Sequence, residues 1–177
     1  MTDRLTLRPF ADGDLDSYAR IMMSAPVRAL LHMPDDFDEY ASWQQLAAFV
    51  GQWELRGTGQ WAVEERSTGR LVGRAGTHWP HRFDWPGVEV GWALDPAVWG
   101  KGYATEAGRA SVDWAFETLD VDELCSLIHV ENPRSAAVAK RLGFEPVETR
   151  TYAWHTGIEH THWRLTHADW QRQVSAP

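Results

Sequence analysis

The run Trp99-Gly100-Lys101-Gly102-Tyr103-Ala104-Thr105-Glu106-Ala107 sets two glycines and a lysine directly ahead of a helix-like stretch. Gly100 and Gly102 allow a tight turn and let the main chain approach a ligand with no side chain in the way. A turn that opens straight into a helix leaves amide N–H groups unpaired at the positive end of the helix dipole, which makes an anion site. The predicted chemistry is a phosphate or pyrophosphate held by main chain. The spacing is not that of a Walker loop, nor of the three-glycine dinucleotide fingerprint. Taken alone, the run is equally compatible with an ordinary strand-to-helix turn.

A second segment follows in Asn132-Pro133-Arg134-Ser135, then Ala136 to Leu142, then Gly143-Phe144. It predicts a complete short helix, with Asn132 as N-cap, Pro133 at the first helical position and Gly143 as a left-handed stop. Together the two segments resemble the two signature motifs of the GCN5-related N-acetyltransferases. The wording Gly102-Tyr103-Ala104-Thr105-Glu106-Ala107, with Ser126-Leu127-Ile128-His129, Asn132, Ser135 and Leu142-Gly143-Phe144, is similar to the RimJ/RimL-type branch. The resemblance runs from Arg4 to about Trp170.

It implies a reaction, transfer of the acetyl group of acetyl-CoA to a primary amine by direct attack, with no metal. The acceptor implied is a protein N-terminus or a small-molecule amine. It also implies that amides from Gly100 to Thr105 hold the pyrophosphate, with a further contact from the Thr105 hydroxyl and with Trp99 beside them at the cofactor. Lys101, Lys140 and Arg141 are candidates for the 3′-phosphate, and an exposed surface role competes for each. Trp99 departs from the Gln or Arg often found at that motif position. An oxyanion donor is expected from main chain near Ala93 or Leu94, where relatives part their fourth and fifth strands. Many relatives place a tyrosine on the short helix, where this chain has Ala139; Ser135 is the implied partner of the thiolate instead, and Asn132 of the pantetheine amide.

The general base is read from the residues. Glu89 is an acidic residue in the otherwise apolar strand Val88-Glu89-Val90-Gly91-Trp92, and burial would raise its pKa to a useful range. A surface position, or pairing with Arg74, is the competing reading. His78 and His129 are rival bases. His155, His160 and His162 alternate, which by itself makes no metal site.

The elements that position these residues follow from periodicity. Strands are expected over 4–8, 60–65, 70–79, 87–94, 124–130, 145–154 and 159–165, and helices over 12–23, 39–56 and 103–119, besides the short helix. Pro26 and Pro34 predict an irregular connection. In the helix over 39–56, Trp43, Leu46, Ala47, Val50 and Trp53 lie at helical spacing. The pattern is an α/β mixed sheet with helices on both faces. The resemblance makes it mostly antiparallel, about seven strands, splayed between the fourth and fifth. Trp79, Trp85 and Trp92 are candidates for an acceptor-pocket wall, with aromatic core packing as the commoner fate of such residues.

The 177 residues predict one domain, 1–177. A hydrophobic fraction of 44% and a charged fraction of 24% are those of a soluble globular chain. No apolar run reaches membrane-spanning length and the start has no signal-peptide core, so no membrane and a cytoplasmic location are expected. The net charge of −8 argues against nucleic-acid binding. The lone cysteine, Cys125, excludes an internal disulfide and predicts a buried, inert thiol. A homodimer is compatible with the chain, which carries no readable interface. A non-catalytic acyl-CoA-binding or regulatory module is the alternative to an enzyme.

Overall fold

The structure, a computed structural model, describes residues 1–175. Its elements are β1 (Leu5–Arg8), α1 (Leu15–Met22), α2 (Ala25–Leu31), α3 (Glu39–Arg56), β2 (Gln60–Glu65), β3 (Arg70–His78), β4 (Glu89–Leu94), α4 (Tyr103–Thr118), β5 (Glu123–His129), α5 (Pro133–Leu142), β6 (Glu145–Thr151), β7 (Glu159–Thr166) and α6 (His167–Ser175). The strands form one sheet in the order β1-β2-β3-β4-β5-β7-β6. Every neighbouring pair is antiparallel except β4 and β5, which run parallel.

Strand alternation divides the core between the two faces. On β4, Val90 packs with Val112 and Ala115 of α4, and Leu94 packs with Tyr103 and Ala107. Ala93, turned the other way, joins Tyr18 of α1 and Phe49 of α3. Helix α4 approaches closely because its inner side is small. A Cβ added at Gly108 would lie 2.8 Å from Leu142 Cδ1 of α5.

The feature that positions the site is the fork between β4 and β5. The parallel ladder consists of one pairing, Glu89 with Cys125, secured by Cys125 N–H to Val88 O at 2.9 Å. By contrast β5 pairs with β7 along its whole length, from Glu123 to His129. The next inward-facing amide of β5, Leu127 N–H, donates to the Glu89 carboxylate at 3.2 Å. A side chain has taken the donor that a continued ladder would use, and the strands separate from there.

Helix α5 has the expected ends. Asn132 Oδ1 accepts from Ser135 N–H at 3.0 Å, and Gly143 is left-handed at φ 91°. Three expectations need correction. Pro26 does not break the chain; it sits in the first turn of α2, where its missing N–H costs no hydrogen bond. Helix α3 turns Ser42, Leu46 and Phe49 inward and leaves Trp43 and Val50 exposed. Its orientation is set by Phe49 packing against Phe10 and Tyr18, not by the longest apolar stripe. Helix α6 was not expected; its mostly polar sequence conceals one anchor, Trp170, stacked on Phe116 and donating to Asp113 at 2.8 Å.

Leu142 is fully buried where α4 and α5 meet. Leu142→Ala should therefore cost about 2–5 kcal/mol. Urea unfolding checks this, with a lower midpoint and an unchanged slope expected.

Candidate active site

The turn between β4 and α4 has the conformation that its glycines permit. Gly100 and Gly102 are left-handed, at φ 82° and 81°, and Gly102 caps α4 with no side-chain partner for the helix amides. The bond from Glu106 N–H to Gly102 O (3.0 Å) leaves the amides of Tyr103, Ala104 and Thr105 ahead of it. These donors can take a negatively charged ligand.

The turn is braced from the start of the chain. Arg4 Nη1 donates to Lys101 O at 2.8 Å, and Arg4 Nε to Glu106 Oε2 at 2.7 Å. Glu106 also accepts from Thr2 Oγ1 and from the Arg4 amide. Burial acts to raise its pKa, but the hydrogen bonds from Thr2 and Arg4 outweigh burial and hold the carboxyl below its usual range.

A cavity of about 1110 Å³ runs from this turn into the fork. Its volume exceeds the range of about 300–1,000 Å³ usual for drug-sized ligands, which suits a longer one. Of the expected cofactor contacts, Ala93, Leu94, Trp99, Gly100, Gly102, Tyr103, Ala104, Thr105, Asn132, Ser135 and Arg141 line it. Lys101 does not. Its ammonium is turned to Glu65, 3.7 Å away, and lies over the Tyr103 ring. Lys140 is exposed and outside the lining. The cations at the cavity are arginines, and the sequence reading missed Arg4, Arg109 and Arg134. Arg134 lies 4.8 Å over the Trp99 ring, whose Nε1–H donates to Leu94 O at 2.8 Å. Trp99 thus ties the turn to β4 and carries an arginine. Arg109, Arg134 and Arg141 form no ion pair among the described residues. Only Arg134, inside the Asn-Pro-Arg-Ser motif, carried a signal by which it could have been found.

Strand direction narrows the choice of oxyanion donor. Asp95 N–H donates to Val72 O, and the Ala93 carbonyl is directed at Gly73, so the polar groups of Ala93 serve β3. Alternation turns the amides of Trp92 and Leu94 toward the fork, where β5 no longer meets them. Leu94 stays a candidate donor and Ala93 does not.

Glu89 stands where β4 and β5 begin to part, on the α3 face opposite His78, and is not among the residues that line the cavity. Burial pushes its carboxyl up to about 7, while the Leu127 amide and the Arg74 charge oppose that rise. No ion pair with Arg74 forms; Arg74 donates to Gln60 Oε1 instead. His78 is driven down to about 4 by burial, then by Arg74 and Arg82, and pairs with Gln52. His129 is also lowered, by burial first and then by His32. Neither rival titrates as usefully as Glu89. Burial raises the Cys125 thiol well above its ordinary value, so that residue is inert as expected.

The three expected pocket tryptophans do not converge. Trp79 is 40% exposed beneath Arg56, and Trp92 packs toward α4. Trp85 alone reaches the Glu89 side, 5.3 Å from His78, and its partner there is Trp154 at 4.7 Å. The loops carrying these two rings are clasped by Ala153 N–H to Asp84 Oδ2 at 2.8 Å. Both indole N–H groups are buried without a partner among the described residues.

A mixed sheet forked beside a helix start with unpaired amides is the frame that the strands and the glycine turn build. Residues 4–145 match the Acetyltransferase (GNAT) domain, and the chain belongs to that family of acetyltransferases. It is similar to an acetyltransferase from Agrobacterium tumefaciens strain C58, with 34% identity, a TM-score of 0.78, and 93% of this chain and 92% of that one covered. It is 28% identical over 149 residues to the uncharacterized N-acetyltransferase YoaA of Bacillus subtilis, covering 81% of each. In fold it is also like a Vibrio cholerae spermidine N-acetyltransferase solved with CoA and spermine, at 16% identity and a TM-score of 0.74, over 95% of this chain and 98% of that one.

Gly102→Val should weaken CoA binding at least tenfold, because a β-branched residue resists the left-handed turn that aims the amides. Calorimetric titration with CoA measures it, with Lys101→Ala expected to bind within about threefold of the unaltered chain.

Proposed function

We propose that this chain moves the acetyl group of acetyl-CoA directly onto a small primary amine. The observation that carries the reading is the fork itself. Along it lie unpaired amides and arginines suited to a diphosphate, and where its strands begin to part lies the Glu89 carboxyl, raised to about 7.

In this reading the amides of Tyr103, Ala104 and Thr105 hold the pyrophosphate, and Arg134 and Arg141 meet the remaining phosphate charge. Asn132 and Ser135 flank the thioester arm. The Ser135 amide is occupied by Asn132, and its hydroxyl is the group left to stabilise the departing thiolate. The Leu94 amide stabilises the oxygen of the attacked carbonyl, at little reorganisation cost because the strand holds it in place. Glu89 takes the proton that the amine must lose. A nitrogen–carbon bond forms, the carbon–sulfur bond breaks, and the thiolate leaves with the electron pair. The serine in place of a tyrosine, together with the Asn132 and Gly143 frame, supports membership of the RimJ/RimL-type branch.

A small acceptor is favoured over a peptide terminus by the clasp across the Glu89 side, where Asp84 and Trp85 meet Ala153 and Trp154. The two unpartnered indole N–H groups there suit an amine that also carries a hydroxyl or carbonyl oxygen. Thiol release from acetyl-CoA across amino alcohols, amino acids, polyamines, aminoglycosides and short peptides tests the proposal. Turnover with small amines is expected. CoA binding with no turnover on any acceptor would leave the non-catalytic module.

Glu89 must be unprotonated to act, so kcat/KM should rise with pH, inflect about 7 and then level. Glu89→Gln should remove that limb and lower kcat by about 10²–10⁴, leaving CoA affinity unchanged. Stability runs the other way. A carboxyl near 7 in the folded chain, against 4.5 unfolded, binds its proton more tightly when folded. That stabilisation is complete below the unfolded value and is lost as pH rises through about 7. Glu89→Gln should accordingly gain about 3 kcal/mol on the unaltered chain between pH 4 and pH 8, read from urea unfolding at each pH.

A further inference from the structure

His32 caps the end of α2, His129 ends β5, and the two imidazoles meet although 97 residues separate them in sequence. His32 Nε2 lies 2.9 Å from His129 Nδ1, and the ring centroids are 3.6 Å apart. His129 Nδ1 also accepts the Glu131 amide at 3.1 Å, so it is the unprotonated nitrogen of its ring, and a metal ion would take its single lone pair in place of that amide. The Glu131 carboxylate can join them: one oxygen of it and the two ring nitrogens all lie within 4.8 Å of one another.

We propose that His32 Nε2, His129 Nδ1 and the Glu131 carboxylate form a binding site for a divalent transition-metal ion of the zinc class. Two imidazoles and a carboxylate are borderline donors that suit zinc, cobalt or nickel, whereas calcium and magnesium require oxygen ligands throughout. An ion about 2.0–2.1 Å from each ring nitrogen would subtend an angle of about 90° at their present separation. Parting the rings by about half an ångström reaches tetrahedral geometry, with the fourth position open to water.

A second observation points to the same place. His32 is the only non-glycine residue at positive φ among the described residues, at φ 48° and ψ 45°. Glycine is the ordinary residue at a left-handed helix cap, histidine is among the few others enriched in that conformation, and the cap brings the His32 ring to His129. His155 and His160 stand behind the pair, with ring nitrogens 3.3 Å apart. His155 lies 6.3 Å from His32 and His160 lies 5.7 Å from His129, ring centre to ring centre, closing a circle of four imidazoles. Neither Glu89 nor the cavity lining is used.

The test is titration of the untagged, chelator-treated chain with Co²⁺, followed by visible d–d absorption and by calorimetry, and then with Zn²⁺ in competition. One saturable equivalent is expected, with the Tm raised by Zn²⁺. His32→Asn keeps a residue that tolerates the left-handed turn, so the fold is retained while a ligand is lost. It and His129→Ala should each weaken Co²⁺ binding at least tenfold and abolish the Tm gain, and the off-site variant His81→Ala should do neither. Absence of a saturable equivalent in the unaltered chain, or unchanged affinity in His32→Asn, overturns the proposal.

Discussion

The hydrogen bond from Leu127 N–H to the Glu89 carboxylate closes the β4–β5 ladder after a single pairing, and the site follows from that closure. Had the ladder continued, the amides of Trp92 and Leu94 would be spent on β5 and no gap would open between the strands. The bond also holds the carboxyl in a desolvated position, where burial lifts its pKa toward neutrality. One interaction thus opens the sheet and tunes the group at the opening. A partly buried acid at this point is costly to the folded chain above neutral pH.

The second requirement is that the turn ahead of α4 be held still, since an anion site made of amides is only as good as their alignment. Arg4 is half exposed, and a lone ion pair in such a setting contributes little. Here the guanidinium bridges the Lys101 carbonyl and the Glu106 carboxylate, while Thr2 and the Arg4 amide bind the same carboxylate. The shared contacts fix β1 against the helix start, so the edge strand and the turn form one unit. Trp99 closes the other side through its bond to Leu94.

Much of this was legible in the residues because the signals are local. The caps of α5 are set by Asn132, Pro133 and Gly143 acting on their own backbone, and the glycine turn by Gly100 and Gly102. Strand periodicity found all seven strands, and the apolar setting of Glu89 already suggested burial. The failures involve long side chains and faces. Lys101 sits within the motif, yet its stem leads to Glu65; Trp79, Trp85 and Trp92 are close in sequence and point three ways. The inner face of α3 was misread because Phe49 outweighs Trp43 only once Phe10 and Tyr18 are beside it.

The sequence by itself determined where the main chain can turn, which segments are strands and helices, and which turn opens straight into a helix. Those properties depend on φ preferences, side-chain period and the unpaired amides of helix starts, none of which needs a distant partner. Only the tertiary structure decided that the arginines at the cavity replace the lysines, that Ala93 serves β3 while Leu94 faces the fork, and that His32 meets His129. Each depends on which strand or helix lies alongside, and packing settles that across separations no local pattern encodes.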